Sequence, residues 1–272
     1  MLKLKVDDLT GVSETLLIPL HYRVVESTSG SGLFKDDVAE RFHDMIVYDW
    51  EKFQGHQLQR PGIIARTRIL DREVGAFIDA HPDGLVVNLG AGLDTRFHRL
   101  DNGAITWIEI DLPAVITFRQ KLQEPSNPRH VLLAGSVLDD DWIPKVKLLA
   151  RRCILFVAEG LFPYFTEAQH RAIFALFADH FPGHEMLFQT SALSALQAFA
   201  HLSDLSKLRT SADVRWGLEE GADVSSLNPK ARFVDEYSLR EGHEDSLPEA
   251  IRHRLAPDMI KKVARIVRVR FE

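Results

Sequence analysis

The stretch Asn88-Leu89-Gly90-Ala91-Gly92-Leu93-Asp94-Thr95 sets two glycines one residue apart after an apolar run, and Asp111 ends a second apolar run 21 residues beyond Gly90. Glycines let a backbone turn come close to a ligand. A carboxylate at the end of the second strand can accept both hydroxyls of a ribose. The pairing points to a nucleoside-containing cofactor, although a G-x-G turn alone also serves NAD, FAD and ordinary tight turns. The third glycine of the dinucleotide fingerprint is replaced by Thr95, where a helix must approach closely to cradle a pyrophosphate. S-adenosylmethionine has no phosphate, so that replacement costs it nothing.

These residues need a sheet to hold them. Residues 85–89, 105–111, 131–134, 154–158, 185–189, 231–237 and 266–271 read as strands. Between them, Ile63, Ile64, Leu70, Val74, Phe77 and Ile78 recur at helical spacing up to the stop signal His81-Pro82-Asp83-Gly84. A helix over 113–122 begins at Pro113. Thr166 and Gln169 have capping-box spacing ahead of another, and a long helix through Leu205 is expected to follow the 185–189 strand. Alternating strands and helices predict an α/β fold, a doubly wound, mostly parallel seven-stranded sheet with helices on both faces. A ligand then lies beyond the carboxyl ends of the strands. Residues 1–60, with Ser27-Thr28-Ser29-Gly30-Ser31-Gly32 and short apolar patches of no sustained period, read as an N-terminal helical cap or arm rather than a core unit. The remainder, 61–272, forms the cofactor-binding domain, with a substrate-side insertion around 190–230.

Composition narrows the function classes. Of 272 residues, 45% are hydrophobic and 26% charged, as expected of a soluble globular chain. The net charge of −6 comes without a basic face, which disfavours nucleic acid. No run approaches the ~20 apolar residues of a membrane span. The amino terminus turns acidic before any apolar stretch, unlike a secretory signal, so the cytoplasm is expected. A single cysteine, Cys153, excludes an internal disulfide and offers no pair for a zinc site; no metal is expected, and Cys153 reads as part of a buried strand. The basic carboxyl end alternates from Arg265 like a strand with one solvated face.

The chain resembles the leucine carboxyl methyltransferase-like proteins, class I S-adenosylmethionine-dependent enzymes of Rossmann-like fold, and most of all the bacterial branch associated with polyketide O-methylation. The resemblance rests on Val87 through Arg96, Glu109-Ile110-Asp111-Leu112-Pro113, Ala158-Glu159-Gly160-Leu161 with Tyr164, Gly135-Ser136-Val137-Leu138 through Trp142, and upstream Gly11-Val12-Ser13-Glu14-Thr15-Leu16 and Ala65-Arg66-Thr67. It implies a cofactor site in which Gly90, with Ala91, Gly92 and Asp94, borders the methionine part and Arg66 binds its carboxylate. Asp111 with Leu112 would hold the ribose, Ser136 with Val137 would flank the adenine, and Glu159 would lie beneath the sulfonium end. Each has a structural alternative: Arg66 as a helix-surface residue, Asp111 as a cap before Pro113, Glu159 as the partner of a neighbouring arginine. Many relatives carry aspartate-leucine where this chain has Ser136-Val137, which predicts a weaker contact to the adenine amine.

The resemblance implies methyl transfer to oxygen. A carboxylate acceptor is ionised near neutral pH and needs no general base, whereas a phenol or alcohol does. His21, His98 and His201 are candidate bases, His98 more as a structural residue. Arg23 and Arg96 could pair with an acceptor carboxylate, and Tyr164 with Phe162 could wall the acceptor pocket or belong to the core. The expected partner is a small-molecule acceptor, polyketide-like, the alternative being a protein C-terminal carboxylate. A nicotinamide oxidoreductase on the same loop, or a cofactor-binding protein without turnover, are the competing readings.

Overall fold

The structure, a computed structural model, describes residues 3–7, 9–53, 59–122, 127–150, 153–195, 208, 214–238 and 264–272. Seven strands form one sheet: β1 (Leu85–Leu89), β2 (Thr106–Asp111), β3 (His130–Ala134), β4 (Ile154–Ala158), β5 (Glu185–Thr190), β6 (Ala231–Ser238) and β7 (Arg265–Phe271). Their spatial order is β3-β2-β1-β4-β5-β7-β6. The first five are mutually parallel, and β7 runs antiparallel between β5 and β6. The fold is therefore the mostly parallel α/β sheet that the alternation predicted. Strands β1 and β4 are buried along their whole length, because helices cover both faces. That is why they read as continuous apolar runs instead of alternating ones.

Helices that accompany the sheet among the described residues are α1 (Leu17–Ser27), α2 (Asp37–Met45), α3 (Gln59–Ala80), α4 (Arg96–Leu100), α5 (Pro113–Lys121), α6 (Ile143–Leu149) and α7 (Glu167–His180). Pro113 opens α5, and Thr166 and Gln169 cap α7 reciprocally. The strand order reverses between β1 and β4, which grow the sheet in opposite directions. That places a crevice above their carboxyl ends.

Three expectations need correction. The amino-terminal segment is a core unit: α1 and α2 bury Leu17, Leu20, Tyr22, Ala39 and Phe42 in a cluster that also takes in Leu93 and, from α5, Val115 and Phe118. Its periodicity was hidden because α1 also buries polar residues, Arg23 and His21 among them. Cys153 is only half-buried and precedes β4 rather than lying in it. Strand β7 does not have one solvated face: Arg265 is buried, bonding Glu236 and the Glu219 carbonyl, and within the strand Arg270 alone is exposed. Of the helix expected through Leu205, residues 193–195 are helical and 196–205 lie outside the described residues. Among the described residues no helix is long and apolar enough to cross a membrane.

Beyond β5 the chain returns as a strap over residues 214–218. The Arg215 amide donates to the Pro163 carbonyl at 2.7 Å, Trp216 stacks on His170 at 3.7 Å, and Gly217 lies against the Ser191 backbone. A Cβ on Gly217 would stand 2.0 Å from the Ser191 carbonyl oxygen, and backbone cannot yield as a flexible side chain can. Gly217→Ala is expected to destabilise the protein by about 1–3 kcal/mol, read as a lowered denaturant midpoint; an unchanged midpoint would mean that the strap is not seated on β5.

Candidate active site

The loop leaving β1 turns through two left-handed residues, Gly90 at φ 61° and Gly92 at φ 53°, a conformation that side-chain-bearing residues rarely adopt. Space is also short. A Cβ on Gly90 would come within 2.7 Å of Leu161, and one on Gly92 within 3.1 Å of Leu16 Cβ. The first two amides of the loop, Gly90 and Ala91, donate to the Ile110 carbonyl at 2.8 and 3.2 Å. The Gly92 amide donates to Asp111 Oδ2, and the Leu112 amide to Asp111 Oδ1, both at 2.7 Å. Asp111 thus joins the loop after β1 to the end of β2. Its backbone carbonyl accepts from Gly135 at 2.9 Å, which ties in the loop after β3. There Val137 is buried and the Ser136 hydroxyl accepts from the Leu138 amide at 3.1 Å. Leu112 and Leu138 remain exposed beside these turns, apolar walls suited to a flat heterocycle.

Behind the loop lies a buried ion network. Glu159, at the end of β4, uses both oxygens: Oε1 accepts from Arg66 Nε at 2.7 Å and Oε2 from Arg96 Nη2 at 2.6 Å. Arg66, on α3, also donates to Gln189 Oε1 at 2.9 Å. Arg96 is fully buried and reaches Asp71 at 2.7 Å and, more closely, Asp94. Asp94 also accepts from Asn88 Nδ2 and the Arg96 amide. Arg99 pairs with Asp71 and Asp36, and Arg23 with Asp36. The carboxylates of Asp36, Asp71, Asp94 and Glu159 thereby balance the guanidinia of Arg23, Arg66, Arg96 and Arg99. Burial opposes ionisation of Asp94, but Arg96, Arg99, Arg23 and Arg119 outweigh it and hold the carboxyl well below its ordinary range.

This arrangement disfavours a pyrophosphate and fits a phosphate-free nucleoside. Helix α4 is five residues long, and the Asp94 carboxylate occupies its amino-terminal end, where a phosphate would need open N–H groups. The Thr95 hydroxyl is turned away to Asp36 at 2.5 Å. The crevice edge offers the cradle of Gly90 and Gly92, the Asp111 carboxylate and the Leu112 and Leu138 walls. A family model described as leucine carboxyl methyltransferase matches residues 17–178, more than half of the chain.

The chain belongs to the leucine carboxyl methyltransferase family. It is an S-adenosylmethionine-dependent O-methyltransferase, as the glycine loop with Asp111 and the resemblance led us to expect. Tetracenomycin polyketide synthesis O-methyltransferase TcmP of Streptomyces glaucescens is 32% identical over 232 residues, covering 85% of this chain and 84% of that protein. Among solved structures, a DUF574 family protein of Streptomyces avermitilis superposes with a TM-score of 0.62 at 13% identity, over 98% of this chain and 100% of its own. Magnesium protoporphyrin IX methyltransferase of Synechocystis gives 0.51 at 10% identity, over 92% and 98%. At such identities these two bear on the fold alone.

Within this methyltransferase the other sequence-derived candidates fall into different places. Tyr164 closes a one-turn helix (Phe162–Tyr164) after Glu159. Burial pushes its phenol up, against a hydrogen bond with Thr15 and the nearby charge of Arg66. Phe162 is core instead, packed on Phe174 and Phe188: in so tight a turn the two rings cannot face the same way. His21 is embedded in the cap, 3.2 Å from His43 and stacked with Trp50. His98 lies edge-on to Phe97 and His130, a packing role. Arg23 and Arg96 are spent on Asp36, Asp71, Asp94 and Glu159, so neither is set out for an acceptor carboxylate. His201 lies outside the described residues. Among the described residues no group of three histidine, cysteine or acidic side chains is placed to hold a metal. Sequence reading missed Asp36, Asp71, Arg99, Arg119 and Gln189. None of them lies at a spacing that marks it, since Asp71, five residues after Arg66, falls on a different face of the helix.

Burial raises the Asp111 carboxyl above its ordinary range, with the Gly92 and Leu112 amides and Arg119 pulling the other way. As the ribose partner expected from the sequence, Asp111 would accept hydroxyls in its ionised form. Cofactor affinity is therefore expected to fall as pH drops through this raised value, before an ordinary aspartate of pKa about 3.9 would titrate. Titration calorimetry with S-adenosylhomocysteine from about pH 8 down to about the ordinary aspartate value of 3.9 checks this. The slope should vanish in Asp111→Asn, and an identical slope in that variant would remove the assignment.

Proposed function

We propose that Arg66, Gly90, Ala91, Gly92, Asp111, Leu112, Ser136, Val137 and Glu159 form the S-adenosylmethionine site, and that the acceptor is a carboxylate or hydroxyl of a small, polyketide-like molecule. The observation that carries the reading is the junction of Gly92, Asp111 and Gly135, which brings the loops after β1, β2 and β3 to one edge of the crevice. Two of the five N–H donors of Arg66 are engaged by Glu159 and Gln189, an orientation that suits it to receive the cofactor carboxylate bidentately. Asp94 sits one layer deeper and acts through Arg96 rather than by contact. The accompanying division is a cap over residues 1–60 on a methyltransferase domain over 61–272, its insertion around 190–230 on the acceptor side.

When bound, S-adenosylmethionine supplies a methyl group on a sulfonium, which an acceptor oxygen displaces in line to leave a neutral thioether. The protein's share is alignment and exclusion of water. Glu159, fixed by two arginines, gives the methionine end a rigid floor. Tyr164, held by Thr15 and close to Arg66, faces the region between cap and sheet and is the residue best set to orient an acceptor oxygen. Its phenol stays protonated near neutral pH, so it donates a hydrogen bond and does not take a proton. That favours a carboxylate acceptor, which arrives ionised.

The relatedness to TcmP supports a polyketide acid or phenol as the acceptor, and a screen of aromatic polyketide acids against phenols separates the two. A thermal-shift panel tests the cofactor site. S-adenosylhomocysteine at about 100 times its Kd is expected to stabilise by about 2.7 kcal/mol, several degrees in Tm, with no shift from NAD or NADP; the reverse pattern would overturn the site. With any acceptor that turns over, Tyr164→Ala is expected to raise the acceptor KM about tenfold while Kd for S-adenosylhomocysteine changes less than about twofold, the loss of one hydrogen bond and its packing. Equal losses on both ligands would sink its role at the acceptor.

A further inference from the structure

The two halves of the glycine loop are held by different parts of the molecule. The sheet holds the first half: Ile110 accepts the amides of Gly90 and Ala91, Asp111 accepts that of Gly92, and Arg119 on α5 donates to the Gly92 carbonyl at 2.9 Å. The cap holds the second half. Arg23 on α1 donates through Nη2 to the Leu93 carbonyl at 2.6 Å, while its Nε lies 3.3 Å from Asp36. Asp36 caps α2 through the Ala39 amide at 3.0 Å and accepts from the Thr95 hydroxyl at 2.5 Å and Arg99 Nη1 at 2.7 Å. Both Arg23 and Asp36 are buried. Leu16, in the turn leading into α1, abuts Gly92, and Leu93 packs inside the cap's hydrophobic cluster.

We propose that Arg23 and Asp36 are positioning residues for cofactor binding, a latch through which docking of the cap sets the conformation of the loop at Leu93 and Thr95. The proposal rests on the reading of loop 88–95 as part of the S-adenosylmethionine site. Neither residue touches the cofactor; both act through the loop. The arginine fork is what lets one side chain span Asp36 and the Leu93 carbonyl at once, and a lysine ammonium, a single point charge, keeps one contact and loses the other. Linkage makes the coupling reciprocal: a ligand that needs the loop in this conformation must stabilise the docked cap by the same factor.

The test uses the full chain and S-adenosylhomocysteine. Arg23→Lys and Asp36→Asn, the second of which keeps an N-cap acceptor, are expected to weaken binding about tenfold by calorimetry, the loss of one hydrogen bond to a charged group. In the wild type, saturating S-adenosylhomocysteine is expected to slow amide exchange over Leu17–Ser27, which a purely structural role of these residues would leave unchanged. Wild-type affinity in both variants, or exchange in α1 unaffected by the ligand, overturns the proposal. Should neither variant fold, the wild-type exchange decides alone. Asp111→Ala separates the two readings: if it binds like the wild type, or the wild type does not bind, the site itself is wrong; if it alone loses binding, only the latch is.

Discussion

A guanidinium with no access to water needs carboxylates around it, and Arg96 has three, Asp71, Asp94 and Glu159. Burying an ion costs several kcal/mol after relaxation, and removing one partner of a buried pair costs about 3–5 kcal/mol. These residues come from α3, the loop after β1 and the end of β4, segments far apart in sequence. Their convergence on one charge fixes how α3 lies against the carboxyl edge of the sheet. Arg66, five residues before Asp71 on α3, is thereby delivered to the other oxygen of Glu159. Arg66 and Glu159, the side chains proposed to meet the methionine end, are thus set by a constraint one layer below them.

Such a network suits methyl transfer. In the proposed site the sulfonium charge would disappear as the methyl group moves, so a floor whose own charges are already balanced would not need to reorganise. Asp94 is held ionised by four arginines, and Glu159 is gripped from two sides by Arg66 and Arg96. What remains adjustable is at the other edge, where the cap meets the sheet through Thr15, Leu16 and Tyr164. In the proposed site the rigid half would serve the cofactor, and the half built from the cap would serve the acceptor.

The strands and the glycine loop were legible because they depend on local pattern: buried parallel strands are apolar throughout, and turns at positive φ demand glycine. Asp111 was legible because it ends a strand at a fixed distance from that loop. The ion network was not. Glu159 could be seen as an acid at a strand end, but its choice of Arg66 and Arg96 depends on how α3 crosses the sheet, which no spacing reveals. For the same reason Arg23 and Arg96 read as open cations, although both lie buried among carboxylates. The cap misled for a different reason: His21 and Arg23 sit on the buried side of α1, and their polarity broke the apolar period that would have marked the helix as core.

Thr95 draws these threads together. In a dinucleotide site this position is glycine so that a helix can approach the pyrophosphate. Here a hydroxyl stands there and donates to Asp36, the residue that caps α2 and pairs with Arg23 and Arg99. A glycine would leave Asp36 without this donor and would remove a direct tie between cap and loop. The departure from the dinucleotide fingerprint is therefore more than the absence of a requirement. The side chain that replaces the glycine fastens the amino-terminal helices to the glycine loop.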